Sequence, residues 1–194
     1  MTKSRIIILG LSLVVIVIFW RVIAVTREHS VTPPAPIVTP ASASYHPATE
    51  VYFSPHGGCT DAVVRTLDAA KSSVYLQAYS FTSKPIANAI VRDAMRGLTV
   101  KAILDHSQES ERSSRLDDLL AAHIPVLIDH VHAIAHSKIM IIDGQEVITG
   151  SFNFTNAAEN ENAENLLILY DRALASRYQQ NWDEQSKICD PATQ

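Results

Sequence analysis

Between residues 51 and 188 the apolar positions switch repeatedly between a period near two and a helical period. Short runs rich in β-branched and aromatic residues predict strands over 51–53, 73–80, 100–104, 125–128, 138–142, 146–149 and 166–170. Between the first two, Val63, Val64 and Leu67 have helical spacing and predict a helix over 60–70 with Thr60 as its N-cap. A second helix is expected over 84–96, with Pro85 in the tolerated first turn and Gly97 just past the end. Further helices are expected over 110–122 and 172–188. Residues 54–58 read as a turn and 156–165 as a solvated loop, Glu164 apart. Strands alternating with helices imply an α/β sandwich with a mixed sheet. There is no internal repeat.

The N-terminal quarter has a different pattern. Lys3 and Arg5 precede an uncharged stretch over 6–20, which Arg21 interrupts before apolar residues resume over 22–25. A full membrane span needs about 20 apolar residues. This segment fits a signal peptide, or a short anchor whose Arg21 reaches the interface. Residues 31–49 hold five of the nine prolines, with Thr, Ser and Ala between them. Such a composition stays extended and packs no core, so it reads as a tether. The expected organisation is therefore a leader or anchor over 1–30, a linker over 31–49 and one folded domain over 50–194. The implied location is exported: periplasmic or secreted, or held at the inner membrane by residues 6–25. The whole chain of 194 residues carries a formal charge of −4, so no global basic field advertises a polyanionic partner. A nucleic-acid substrate would need a local basic cleft, and no Lys/Arg run locates one.

Candidate chemistry gathers over residues 135–155. Asp143-Gly144 is a hairpin signal between the strands over 138–142 and 146–149. His136 and Lys138 are two apart and share a face, as do Ser151 and Asn153 beyond the returning strand. The open end of the hairpin thus brings an imidazole, an ammonium, a hydroxyl and an amide within reach of one small anion. Lys138 and Asn153 are donors suited to phosphate oxygens, and Ser151 adds a hydroxyl contact. His136 can attack phosphorus through a neutral ring nitrogen, which calls for a carboxylate partner on the other nitrogen. Glu164, at the start of the next strand, is the candidate. Asp143 sits at the turn, where capping or pairing with a cation suits it better than chemistry.

His136-x-Lys138-x4-Asp143 followed by Gly150-Ser151-x-Asn153 resembles the HKD signature of the phospholipase D superfamily. The match extends to Glu164-Asn165 and to residues 74–81, and covers roughly 50–190. Within the superfamily the chain is similar to the small exported Nuc-type endonucleases, which carry one HKD motif per chain. The mitochondrial cardiolipin hydrolase group is a second relative; with only Cys59 and Cys189, this chain lacks the zinc-binding insertion of many of its members. The resemblance implies a phospholipase D-like α/β/α sandwich and a catalytic set of His136, Lys138, Ser151, Asn153, Glu164 and Asp143. The expected activity is metal-independent and cofactor-independent phosphodiester hydrolysis through a phosphohistidine. Its expected substrate is DNA, with RNA open to the same chemistry; a lipid phosphodiester such as cardiolipin is the alternative.

One histidine cannot be nucleophile and leaving-group acid at once, so a symmetric homodimer with two His136 residues at a two-fold axis is expected. A competing account makes His130, His132 and His136, with His123, His106 and Asp105 nearby in sequence, a metal-ligand set. Lys138 beside His136 would oppose a dication. Cys59 and Cys189 could form a disulfide in an exported domain, or remain small buried thiols. Phe152 and Phe154, which alternate with Ser151 and Asn153, are expected in the core, with base stacking as the other use.

Overall fold

The computed structural model describes residues 48–193. The expected leader or anchor over 1–30, and the linker up to residue 47, lie outside these residues. Among the described residues the strands are β1 (Thr49–Ser54), β2 (Ser73–Ala78), β3 (Thr99–Asp105), β4 (Val126–Asp129), β5 (Lys138–Ile142), β6 (Glu146–Gly150), β7 (Glu164–Tyr170) and β8 (Asp190–Pro191). They form one mixed sheet in the order β1-β7-β6-β5-β2-β3-β4-β8. The β2–β3 and β3–β4 pairs are parallel. The other pairs are antiparallel. These directions place the C-terminal ends of β1, β2, β3, β4 and β6 along one edge, together with the N-terminal ends of β5 and β7.

Helices α1 (Cys59–Ala69), α2 (Lys84–Met95) and α3 (Leu116–Ala121) cover one face, and α5 (Arg172–Ser186) covers the other; α4 (Asn156–Asn160) follows β6. The larger core joins Val63, Leu67, Ile86, Ile90 and Leu119 to Leu76, Leu104, Met140 and Ile168 of the sheet. A smaller core joins Ile103, Ile141 and Val147 to Ala175 and Trp182 of α5. The Trp182 indole N–H donates to the Leu76 carbonyl at 3.0 Å, which locks α5 onto the centre of the sheet. Burying each large aliphatic side chain contributes roughly 1.5–3 kcal/mol. Because both faces are covered, β5 reads as an almost continuous apolar run. Alternation along it sends Lys138, Met140 and Ile142 towards α1 and α2.

Several boundaries differ from the sequence expectations. The N-cap of α1 is Gly58, at φ 78, and not Thr60. The capping acceptor comes from far along the chain: the Glu159 carboxylate accepts from the amides of Gly58 at 3.0 Å and Thr60 at 2.7 Å. Residues 156–165, expected to be a loop, contain α4, which Thr155 caps through the Ala158 amide at 3.0 Å. The helix expected over 110–122 is only α3, preceded by a 3₁₀ turn over His106–Glu109. Local bonds compete with helix there: Glu111 Oε1 accepts from the Ser113 amide and hydroxyl, and Ser114 Oγ accepts from the Leu116 amide. The disulfide does not form, because Cys59 lies in the larger core and Cys189 packs against the smaller core on the opposite face. Burial pushes both thiols up to about 11.

Candidate active site

The hairpin expected over 138–149 is present, with Ile142 paired to Glu146 and both Asp143 and Gly144 at positive φ. Its open end is pinned to β2, where Lys138 faces Ala78 and the Tyr79 amide donates to the Ser137 carbonyl at 2.8 Å. Lys138 is only 7% exposed. Its ammonium donates to the His136 carbonyl at 3.0 Å and lies 5.2 Å from the centre of the Tyr79 ring. Burial lowers its pKa, and the Glu164 carboxylate partly opposes that shift. The Tyr79 ring also packs 4.9 Å from the exposed His136 ring. Tyr79 therefore shields the lysine and braces the histidine, a role that sequence reasoning missed. Its signals in the sequence were its place at the end of a strand and within the 74–81 stretch of the resemblance.

The Ser151–Asn153 loop is held by β7. Asn165 donates through its amide to Ser151 Oγ at 3.0 Å and through its side chain at 3.2 Å. Its carbonyl accepts from the amides of Ser151 and Phe152, both at 3.1 Å. Gly150 makes this closure possible: at φ 144, an added Cβ would lie 2.3 Å from the Asn165 carbonyl oxygen. Ser151 therefore builds the loop as much as it faces the cleft, since its oxygen already accepts twice. Asn153 differs, because its Oδ1 is buried with no hydrogen-bond partner. A buried acceptor left without a donor is uncommon and marks Asn153 as a residue with a use beyond packing. Phe152 and Phe154 are fully buried, so packing accounts for them.

Glu164 reaches the same edge, with its amide donating to Ser54 Oγ at 3.2 Å. Its carboxylate accepts from Asn162 at 3.2 Å. The expected hydrogen bond between Glu164 and the His136 ring is not made within this chain; among the described residues that ring has no hydrogen-bond partner. Asp143 is not brought to the group. It lies at the far end of β5, about 16 Å away at the rise of an extended strand. There its carboxylate accepts from the amides of Lys71, Ser72 and Ser73 and from the Ser72 hydroxyl.

The histidines of the competing metal account are dispersed. His130 bridges Glu109 at 2.9 Å and Asp190 at 3.3 Å, and His132 bonds Asp129 at 2.8 Å. His123 follows α3 at φ 56. Among the described residues no three His, Cys, Asp or Glu side chains gather as metal ligands.

With this geometry in view, comparison with known proteins is decisive at family level. The model of the cardiolipin synthase, PLD-like domain family matches residues 63–185. The chain belongs to the phospholipase D-like family. Among its phospholipase D-like relatives, the phospholipase D of Rickettsia felis is 47% identical over 130 residues, 67% of this chain and 65% of that protein. The mitochondrial cardiolipin hydrolase of Xenopus tropicalis is 32% identical over 124 residues, 64% of this chain and 59% of its own. The chain thus spans less than two thirds of the length of these curated relatives. Among solved structures, Nuc from Salmonella typhimurium, a phospholipase D family member, matches with a TM-score of 0.73 and 33% identity, covering 76% of this chain and 99% of that one. NucT from Helicobacter pylori shares the fold, with a TM-score of 0.70 at 24% identity over 75% of this chain and 99% of its own. The mixed eight-stranded sheet between helical layers is the fold of this family.

Proposed function

We propose that this phospholipase D-like chain is a metal-independent phosphodiesterase, an endonuclease that cuts DNA, and RNA by the same chemistry, without sequence preference. The observation that carries the reading is the open imidazole of His136 beside the buried ammonium of Lys138 at 3.0 Å from its carbonyl. The neutral His136 ring attacks phosphorus, a P–N bond forms and the bond to the leaving oxygen breaks. Lys138 and Asn153 hold the equatorial oxygens as charge builds there. The leaving oxygen takes its proton from the partner's His136 across the two-fold axis of a homodimer. Water then attacks the phosphohistidine, gives its proton to the partner's His136, and restores the free ring. The fit to nearly the whole length of Nuc supports this compact, single-motif arrangement.

A lipid phosphodiester is the second reading. Val131 and Ile134, on the loop just before His136, are 62% and 56% exposed, which suits an apolar interface. The names of the Rickettsia and Xenopus relatives point the same way. Export, with residues 6–25 holding the domain near a membrane, is compatible with either. The test is to assay the full chain in EDTA on plasmid DNA and on cardiolipin vesicles in parallel. DNA cleavage that falls with added salt supports the nuclease; release of lipid headgroup with intact DNA overturns it. Mixing His136→Asn chains with the parent should give nearly inactive heterodimers, and heterodimers with full activity per intact histidine rule out the shared site.

A further inference from the structure

A cavity of about 370 Å³ opens at the same sheet edge and on the same face as Lys138, among Thr60, Thr82, Ser83, Lys84, Arg115 and Glu159. Two chain segments lead into it from the catalytic group: Tyr79 to Thr82, and Asn153 to Asn156. The amides of Thr82 and Ser83 both donate to the Phe154 carbonyl, at 3.0 and 2.9 Å, so the two segments travel together. Three residues span at most about 10 Å, which puts the cavity beside the cleft.

Its deepest polar group is Ser83, 3% exposed and the N-cap of α2. A serine there ordinarily accepts from a first-turn amide. Here it makes no side-chain cap bond, and its hydroxyl has no other hydrogen-bond partner among the described residues. The hydroxyl and the first turn of a twelve-residue helix are therefore both left to the cavity. Helix first turns favour anions. Lys84 is exposed at the rim. Arg115 is anchored through Nε to the Thr82 carbonyl at 3.3 Å, with Asp118 3.5 Å from its other end. Two carboxylates also line the space. Glu159 is held by the Gly58 and Thr60 amides and keeps its charge, so Asp61 and Glu159 balance Lys84 and Arg115. It is the Ser83 hydroxyl with the first turn of α2 that singles out one end of the space.

We propose that this cavity is a second phosphate subsite, which receives the phosphate next to the scissile one in a nucleic-acid strand. The proposal rests on the nuclease reading above. It gives that reading a specific phosphate contact, through Lys84, the Ser83 hydroxyl and the first turn of α2, in a chain with no global basic field. Lys84→Gln and Ser83→Ala variants of the full chain are compared with the parent on a single-stranded oligonucleotide and on bis(p-nitrophenyl) phosphate, which has one phosphate and leaves the subsite empty. Lys84→Gln should lower the ratio of kcat/KM for oligonucleotide over bis(p-nitrophenyl) phosphate by about tenfold, the loss of one charge-assisted contact. It should also make the salt dependence shallower by about 0.7 in log–log slope. Ser83→Ala should lower the ratio and leave the slope; if that variant does not fold, Lys84→Gln decides alone. An unchanged ratio, or a lower ratio with an unchanged slope in Lys84→Gln, overturns the subsite and leaves the phosphodiesterase standing. A parent that hydrolyses bis(p-nitrophenyl) phosphate or cardiolipin but no oligonucleotide overturns the nuclease reading, and the subsite with it.

Discussion

At the turn of the β5–β6 hairpin the Asp143 carboxylate accepts hydrogen bonds from three backbone amides and one hydroxyl. At the open end, one strand length away, the His136 ring has no hydrogen-bond partner among the described residues, and Asn153 Oδ1 is buried without one. Both ends belong to one short sequence signature. The difference separates residues that hold the hairpin from residues held ready by it. A group whose hydrogen bonds are all made within the chain stabilises the fold. A buried group left open, such as Asn153 Oδ1, costs stability, whereas the exposed His136 ring is left to solvent and to whatever binds there.

The sharpest way to break this contrast is to remove its open end. His136→Asn should lower turnover at least about 10³-fold, as expected for a lost nucleophile, without lowering the melting temperature. Comparable residual turnover, measured with the melting curve on the same sample, would contradict the assignment. Lys138→Met should lower kcat about 10²- to 10³-fold, the loss of one preorganised cation at the developing charge. Its stability should hold, because the substitution removes a buried ammonium that is costly to desolvate.

Asp143→Ala should do the reverse. It leaves three amides unpaired and should cost about 1–3 kcal/mol of stability, read by chemical denaturation, with activity near the parent's at low temperature. Burial alone would raise the Asp143 pKa, but the hydrogen bonds from Ser73, Ser72 and Lys71 outweigh it and hold it below the ordinary 3.8. Its stabilising effect is therefore complete above that value and is lost as pH falls through the lowered one.

The smallest predicted effect lies in the alkaline range. The lowered pKa of Lys138 means that the folded chain holds fewer protons there than the unfolded chain. Stability should rise slightly as pH climbs toward the ordinary lysine value of 10.5, while activity falls across the same window as the ammonium is lost. A pH–rate profile beside thermal melts checks that the two move in opposite directions.

How much of this was legible in the sequence follows from how local each signal is. Asp143-Gly144 announced its hairpin because two positive-φ positions are a local requirement. That His136 and Lys138 fall at the same open end of the hairpin as Ser151 and Asn153 was legible because strand period and a tight turn are local properties. Glu159 as the cap of α1, Asn165 as the clamp on Ser151 and Tyr79 as the shield of Lys138 were not legible, since each acts on a partner from another element. The uncapped Ser83 was hidden for a different reason. Serine before Lys-Pro looks like an ordinary helix cap, and only the fold shows its hydroxyl turned away from that task.

The central claim is that His136 becomes covalently bonded to phosphorus during turnover, with no metal taking part. Brief reaction of the full chain with a ³²P-labelled oligonucleotide in EDTA, followed by denaturation and peptide mapping, tests it most directly. The expected result is an acid-labile, base-stable label on the His136 peptide that disappears in His136→Asn. Cleavage that continues in EDTA with no label on that peptide, or a label that survives the substitution, would contradict the account.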